Sequence, residues 1–289
     1  MKPIGDVVDA ASERFARAGI DTPRVDAEWL VAGILGVPRA QVITARAQAM
    51  TIEQVAEIEE AIERRARREP LAYILGETCF RGLWFRVGPG CLVPRPETEL
   101  TAERAIHRAH EASAHGNRPT IIDVGTGCGT IALSVAAEAP ECRVYAVESS
   151  AVARGWALRN LAATGLPVTL LPGELLSPLH PALGANCDLI VANLPYLSED
   201  EYDEAPPELR FEPREALVGG PTGLEPIVDL IEQSEHWLAH AGWLVLEIGE
   251  TQADDVTRFM QARGFREISV SKDLAGRDRV VEGRWTTLL

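Results

Sequence analysis

The sequence predicts an α/β protein, in which a mostly parallel seven-stranded sheet with helices on both faces follows a small all-helical region and a β-hairpin linker. Three observations predict it. From Ile4 to about Arg68 apolar residues recur at helical spacing; from Leu71 to Val93 the pattern breaks into short β-like pieces; after Pro96 strand-like and helix-like segments alternate to the end of the chain. Such alternation builds a parallel sheet covered on both faces, because each parallel return needs a crossover, usually a helix. The length of 289 residues, against an ordinary domain size of roughly 150, favours two domains or one large one with an extension. The expected boundaries are 1–70 for the helical region, 71–94 for the linker and 95–289 for the α/β domain.

In the first region Ile4, Val7, Val8, Ala11 and Phe15 mark one helix face, and Ile52, Val55, Ile58 and Ile62 another. Thr22 before Pro23 reads as an N-cap with proline at the first helical position. Thr51 with Gln54 reads as a capping box, and Gly19 and Gly36 suit helix ends. Arg64, Arg65, Arg67 and Arg68 form the densest basic cluster, but Glu59, Glu60, Glu63 and Glu69 flank it, so a solvated helix face is expected. The linker contains the strand candidate Leu83 to Val87 and is punctuated by Gly76, Gly82, Gly88, Pro89 and Gly90.

A helix is expected from Pro96 to about His115. The strand candidates that follow are Thr120–Val124, Arg143–Val147, Pro167–Leu171, Cys187–Ala192, Trp243–Ile248, Glu267–Val270 and Arg279–Gly283. Between most of them lie the helix candidates Thr130–Ala139, Ala151–Thr164, Leu224–Ala239 and Thr251–Ala262. In a sheet of this kind ligands bind beyond the carboxyl ends of the strands.

Composition narrows the function classes. A 46% hydrophobic and 25% charged chain is that of an ordinary soluble globular protein. The formal net charge of −15 argues against direct nucleic-acid binding, which relies on clustered Lys and Arg. Five scattered cysteines lack the paired spacing of a zinc or redox site and suit reduced thiols in the cytoplasm. The start carries Asp6, Asp9, Glu13 and Arg14 within its apolar pattern, which is wrong for a secretory leader, and no apolar run reaches the ~20 residues that span a bilayer. A cytoplasmic monomer without membrane contact is the expectation. Neither a His-x-x-x-His pair beside an acid nor a nucleophile elbow is present, so zinc and serine hydrolase chemistry have no support.

Chemistry concentrates in two places. The first is Asp123-Val-Gly125-Thr126-Gly127-Cys128-Gly129, between a strand and a helix. Its alternate glycines permit a tight turn and a close approach of ligand to backbone, and the helix start offers free N–H groups to an anion. A dinucleotide fingerprint would put its last glycine at the position of Thr130, and a Walker loop would continue Gly-Lys-Ser/Thr; neither fits. What remains is a loop for the aminoacyl end of S-adenosylmethionine. Glu148, ending the next strand about twenty residues on, is placed to accept hydrogen bonds from ribose hydroxyls. Arg95, Glu97 and Glu99 lie at a helix start near the expected aminoacyl end, although acids in a first turn also simply suit the helix dipole.

The second is Asn193-Leu194-Pro195-Tyr196, delivered by the strand ending at Ala192. The Asn193 side-chain oxygen and the Leu194 carbonyl can each accept one N–H of a planar –NH₂ group. Holding both hydrogens aims the nitrogen at a methyl donor, and for a weakly nucleophilic amide positioning matters more than a strong base. Pro195 restricts Leu194 and so helps fix where its carbonyl points, and Tyr196 would pack against the planar target.

These stretches resemble the release factor glutamine methyltransferase family, and the resemblance covers nearly all of the chain. It rests on the helical N-terminal region, Leu92-Val-Pro-Arg-Pro-Glu-Thr-Glu-Leu100, Asp123–Gly129, Asn193–Tyr196, Glu212-Pro-Arg-Glu-Ala-Leu-Val-Gly-Gly220, Leu246-Glu-Ile-Gly249 and Asp278-Arg-Val-Val281, all in family order. The resemblance implies a class I methyltransferase domain of Rossmann-like fold, a helical N-terminal domain that recognises substrate, S-adenosyl-L-methionine as cofactor, and methylation of the glutamine in the Gly-Gly-Gln loop of class 1 peptide-chain release factors. It also implies that Asp123, Gly125–Gly129, Glu148, Glu174, Leu175 and Asn193 form the cofactor site while Asn193–Tyr196 hold the glutamine. The chain carries Leu194 where the family usually has Pro, and Glu148 and Glu174 where it usually has Asp. Leu194 keeps the backbone carbonyl; the two acids are one methylene longer. The tetrad also resembles that of adenine N6-methyltransferases, so an adenine in nucleic acid, another protein or a small molecule stays open as the acceptor.

Overall fold

The structure is a computed structural model that describes residues 1–114 and 117–286. It divides into two compact units: Met1–Thr78 with Pro206–Phe211, and Cys79–Ala205 with Glu212–Leu289. Among the described residues no helix is long and apolar enough to cross a membrane.

In the first unit α1 (Ile4–Arg17), α2 (Pro23–Leu35), α3 (Arg39–Thr44), α4 (Ile52–Ala66) and α5 (Leu71–Leu75) surround a core that includes Ile4, Val8, Phe15, Leu30, Val31, Ile58 and Ile62. The Thr51 hydroxyl accepts from the Gln54 backbone N–H at 3.2 Å and the Gln54 side-chain Oε1 accepts from the Thr51 N–H at 3.0 Å, completing the expected capping box. Thr22 does occupy the N-cap of α2, but its hydroxyl makes no cap bond. It donates instead to Asp26 Oδ1 at 2.8 Å.

Two expectations about this region need correction. Leu71–Leu75 is a helical turn closed by Gly76 at φ 77°, not a β-like piece. A five-residue apolar run is too short for its period to separate helix from strand. Arg65, placed by sequence on a solvated face, is buried: its Nε donates to Asp26 Oδ2 at 2.8 Å and its Nη2 to Glu208 Oε1 at 3.0 Å, while Arg68 Nη2 donates to Glu208 Oε2 at 2.7 Å. A partner 143 residues along the chain leaves no local trace in the charge pattern.

A two-stranded hairpin, β1 (Glu77–Phe80) with β2 (Leu83–Arg86), follows. Then comes α6 (Thr98–Ser113); the position His115, where sequence suggested its end, lies outside the described residues. The rest of the second unit alternates as expected: β3 (Thr120–Val124), α7 (Thr130–Glu138), β4 (Arg143–Glu148), α8 (Ala151–Thr164), β5 (Val168–Pro172), β6 (Cys187–Ala192), α9 (Glu199–Glu204), α10 (Glu225–Ser234), β7 (Leu238–Glu247), α11 (Ala253–Ala262), β8 (Arg266–Lys272) and β9 (Asp278–Arg284). The sheet order is β5-β4-β3-β6-β7-β9-β8, parallel from β5 to β7 and antiparallel where β9 joins β7 and β8.

The α10 helix stops at Ser234, short of the expected Ala239, and β7 begins at Leu238, well ahead of Trp243. Leu238 pairs with Cys187 across an irregularity in the ladder, so pairing with β6 recruits residues that carry no strand pattern of their own. Ile122, Val124, Ile190, Leu244 and Leu246 form the sheet's side of a core completed by Ile231, Val256, Met260 and Phe265. The register sets Val124 beside both Val147 and Ala192. The loops after β3, β4 and β6 therefore open side by side at one edge, and β3, flanked by β4 and β6, marks the switch point where the crossovers diverge.

Candidate active site

At that edge a cavity of about 280 Å³ is lined by the loops after β3, β4, β5 and β6 and by parts of the segments 90–98 and 213–226. The loop after β3 turns on three glycines with positive φ, Gly125 at 70°, Gly127 at 59° and Gly129 at 93°, a conformation that L side chains rarely adopt. A Cβ on Gly127 would meet no protein atom within 4 Å, whereas one on Gly125 would sit 3.1 Å from the Leu194 side chain. Glycine thus keeps space open at one position and allows a close approach of two loops at the other.

Acidic side chains hold this loop from behind and from the side. Asp123, 1% exposed, accepts from the Thr126 hydroxyl at 2.5 Å and from the Ala132 N–H at 3.0 Å. Glu148 accepts from the Gly127 N–H at 2.8 Å through one oxygen and from the Ser150 N–H at 2.8 Å through the other. Each carboxylate oxygen has room for a second donor. The longer side chain of Glu148 thus spans two loops and still offers acceptors to the cavity.

Of the residues singled out by sequence, Gly125, Thr126, Gly127, Cys128, Glu148, Glu174, Leu175, Asn193, Leu194 and Pro195 line the cavity together, and Asp123, Gly129 and Tyr196 do not. Asp123 anchors the loop from beneath. Tyr196 packs on the sheet's core, and its phenol is pushed up to about 12, chiefly by burial. Of Arg95, Glu97 and Glu99 only Arg95 lines the cavity. Glu97 meets Arg277 at 3.1 Å and Glu99 accepts from the Arg81 N–H at 3.1 Å.

The tetrad is locked by its surroundings. Leu197 donates its N–H to the Leu217 carbonyl and accepts from the Gly219 N–H, both at 2.9 Å. Gln252 Nε2 donates to the Tyr196 carbonyl at 2.9 Å. A Cβ on Gly219 would overlap the Pro195 carbonyl oxygen, and one on Gly223 the Tyr196 carbonyl oxygen. Gly219→Ala is therefore expected to shift the tetrad backbone and lower turnover by about 10-fold to 100-fold, since small misplacements at a reacting centre are that costly. Steady-state kinetics beside calorimetry of the cofactor checks it; a variant with full turnover contradicts it.

Asn193 Nδ2 donates to Thr98 Oγ1 at 3.1 Å, which leaves the side-chain oxygen as the acceptor available to the cavity. Cys91, Pro94, Arg95 and Thr98, and on the other side Pro213, Glu215, Ala216 and Val218, also line the site. From the sequence only Arg95 among these was a site candidate; Cys91 fell in the linker, and the others lie in the two family stretches without an assigned role. No local signal marks them as walls of one site: it is the buried Glu212, whose carboxylate accepts from the Val93 N–H at 2.8 Å and from Arg95 Nη2 at 2.5 Å, that ties the two stretches together.

Two wholly buried carboxyls, Asp123 and Glu247, are each pushed up to about 7, with burial the first cause. The unfolded chain releases these protons near pH ~4, while the folded protein holds them until about 7. Each group therefore contributes stability that is complete below the unfolded value and lost as pH rises through the folded one. Asp123→Asn, which cannot ionise, is expected to remove part of the decline in unfolding free energy between about pH 4 and pH 7. Urea titrations of both proteins across that range measure it, and parallel profiles contradict it.

Residues 6–76 match the family described as PrmC N-terminal domain, and residues 109–208 match that described as Methyltransferase small domain. A Geobacter sulfurreducens protein named release factor glutamine methyltransferase is 37% identical over 97% of this chain and 96% of its own length. A protein of the same name from Thermodesulfovibrio yellowstonii is 38% identical over 89% of this chain and 90% of its own length. Among solved structures, a methyltransferase from Pyrococcus furiosus superposes with a TM-score of 0.55 at 19% identity, covering 78% of this chain and 98% of that one. At that identity the likeness is one of fold.

Proposed function

The chain belongs to the release factor glutamine methyltransferase family, and from that premise we propose that it methylates the side-chain amide nitrogen of the glutamine in the Gly-Gly-Gln loop of class 1 peptide-chain release factors. It is an S-adenosylmethionine-dependent protein-glutamine N-methyltransferase. The observation that carries the acceptor's chemistry is the Asn193 carboxamide, tied by its nitrogen to Thr98 and left with its oxygen for the cavity beside Leu194.

The residues present fit the methyl donor. Strand order β5-β4-β3 lays out Glu174 and Leu175, then Glu148, then Gly125–Cys128 in a row along one edge. That row would hold a base, a ribose and an amino-acid end in turn: Glu148 would accept from ribose hydroxyls, and the free N–H groups at the start of α7 would serve the carboxylate. The bound donor supplies an electrophilic methyl on a sulfonium sulfur.

The protein's own contribution is placement. The Asn193 oxygen and the Leu194 carbonyl accept the two N–H bonds of the glutamine amide, which fixes the nitrogen in the plane and direction of attack. As the C–N bond forms and the bond from the methyl to the sulfonium sulfur breaks, the positive charge passes to that nitrogen, two fixed oxygen dipoles beside it stabilise the change more than water does, and one of its two N–H protons then leaves to solvent. Asp123, Thr126 and Gln252 act by holding the two loops in register.

Residues 1–70 serve as the substrate-recognition region, 71–94 as the linker and 95–289 as the methyltransferase region. The protein works as a cytoplasmic monomer without direct contact to nucleic acid or membrane. The net charge of −15 supports that reading, since it disfavours phosphate backbones. Incubation with S-adenosylmethionine and a class 1 release factor, followed by peptide mass spectrometry, is expected to locate one added methyl on the Gly-Gly-Gln glutamine. An adenine-containing oligonucleotide methylated in place of the protein would overturn the assignment.

A further inference from the structure

Asn193 can work only one way round. A carboxamide is nearly symmetric in shape, and a half-turn exchanges its oxygen for its –NH₂. Oxygen toward the cavity accepts a substrate N–H; –NH₂ toward the cavity sets donor against donor. Something must break that symmetry, and the residues behind Asn193 do so.

Thr98, at the start of α6, is 3% exposed, and Glu247, at the end of β7, is 1% exposed. The Thr98 hydroxyl donates to Glu247 Oε1 at 3.2 Å, and the neighbouring Thr101 hydroxyl donates to Glu247 Oε2 at 2.8 Å. A hydroxyl has one proton. With that proton committed to the carboxylate, Thr98 meets Asn193 as an acceptor only, so the Asn193 –NH₂ turns inward, at 3.1 Å. Resting on the reading of Asn193 given above, we infer that Glu247, acting through Thr98, is a positioning residue that sets which end of the Asn193 carboxamide faces the substrate. Thr101 holds the same carboxylate without touching Asn193, which provides an internal control.

The test uses the full-length chain with S-adenosylmethionine and release factor at pH ~8, above the value of about 7 to which burial raises Glu247. Thr98→Val keeps the shape and deletes the acceptor. Glu247→Met keeps the length and removes both acceptor oxygens, freeing the Thr98 proton to turn toward Asn193 and reverse it. Each is expected to lower kcat on the order of 10-fold, the effect of one misdirected buried hydrogen bond, with donor affinity by calorimetry unchanged. Thr98→Ser should restore wild-type kcat, and Thr101→Val should leave it near wild type. Because both residues act through one carboxamide, the double variant T98V/E247M should lose no more than the worse single one.

A purely structural tie between α6 and β7 predicts otherwise: Thr101→Val as damaging as Thr98→Val, or losses that add in the double variant. Either result overturns the inference, as does full turnover in Thr98→Val. If that variant does not fold, Glu247→Met carries the test by itself, full turnover again being the overturning result. Failure of the underlying function looks different: the wild-type protein leaves the glutamine unmodified, or Asn193→Ala retains full activity.

Discussion

Asn193→Ala is expected to bind S-adenosylmethionine almost as the wild type does and to turn over ~10²-fold more slowly, or worse. Asn193 lines the cavity and its Nδ2 is committed to Thr98, so truncation removes one of two proposed acceptors for the amide hydrogens. The loss of a group aligned on a reacting centre carries about 3 kcal/mol in comparable sites, and it appears in kcat because the contact strengthens as charge develops on the nitrogen. The Leu194 carbonyl remains, which is why residual activity is expected. Single-turnover kinetics beside calorimetry separates the two quantities; parallel loss of binding and turnover would contradict the assignment.

Gly127→Val is expected to abolish measurable binding of the methyl donor while the protein stays folded. At φ 59° a β-branched residue is strained by about 1–3 kcal/mol. A Cβ there meets no protein atom within 4 Å, so the fold has no steric reason to reject it. The added methyls instead reach into space that the cavity's wall leaves open, beside the N–H that Glu148 accepts at 2.8 Å. Calorimetry with the donor tests this, and thermal melting checks the fold. Unchanged affinity would refute the loop's role.

The segments that position the site were legible because their demands are local. Thr120–Val124, Cys187–Ala192 and Ala151–Thr164 occupy the bounds that apolar periodicity assigned to them. The positive φ angles of Gly125, Gly127 and Gly129 are what that glycine spacing exists to permit. The Thr51–Gln54 capping box formed because both partners lie within one turn. By contrast, the early start of β7 and the burial of Arg65 depend on strands and acids far along the chain.

The candidate site divides in the same way. Glycine loop, acid and tetrad could be read from consecutive residues, since each asks for a backbone conformation or a side-chain type at one strand end. The cavity's remaining walls, and the devices that hold its working groups, could not. Glu212 reaches Val93 across 119 residues of sequence and Glu247 reaches Thr98 across 149.

By itself, then, the sequence determined which chemical groups stand at the carboxyl edge of the sheet, because strand periodicity and glycine or proline stereochemistry are properties of neighbouring residues. Only the tertiary structure decided which way round those groups face and what steadies them. A hydrogen bond's direction depends on every partner within about 3 Å, and in a folded chain those partners are brought together from elements that share no local pattern.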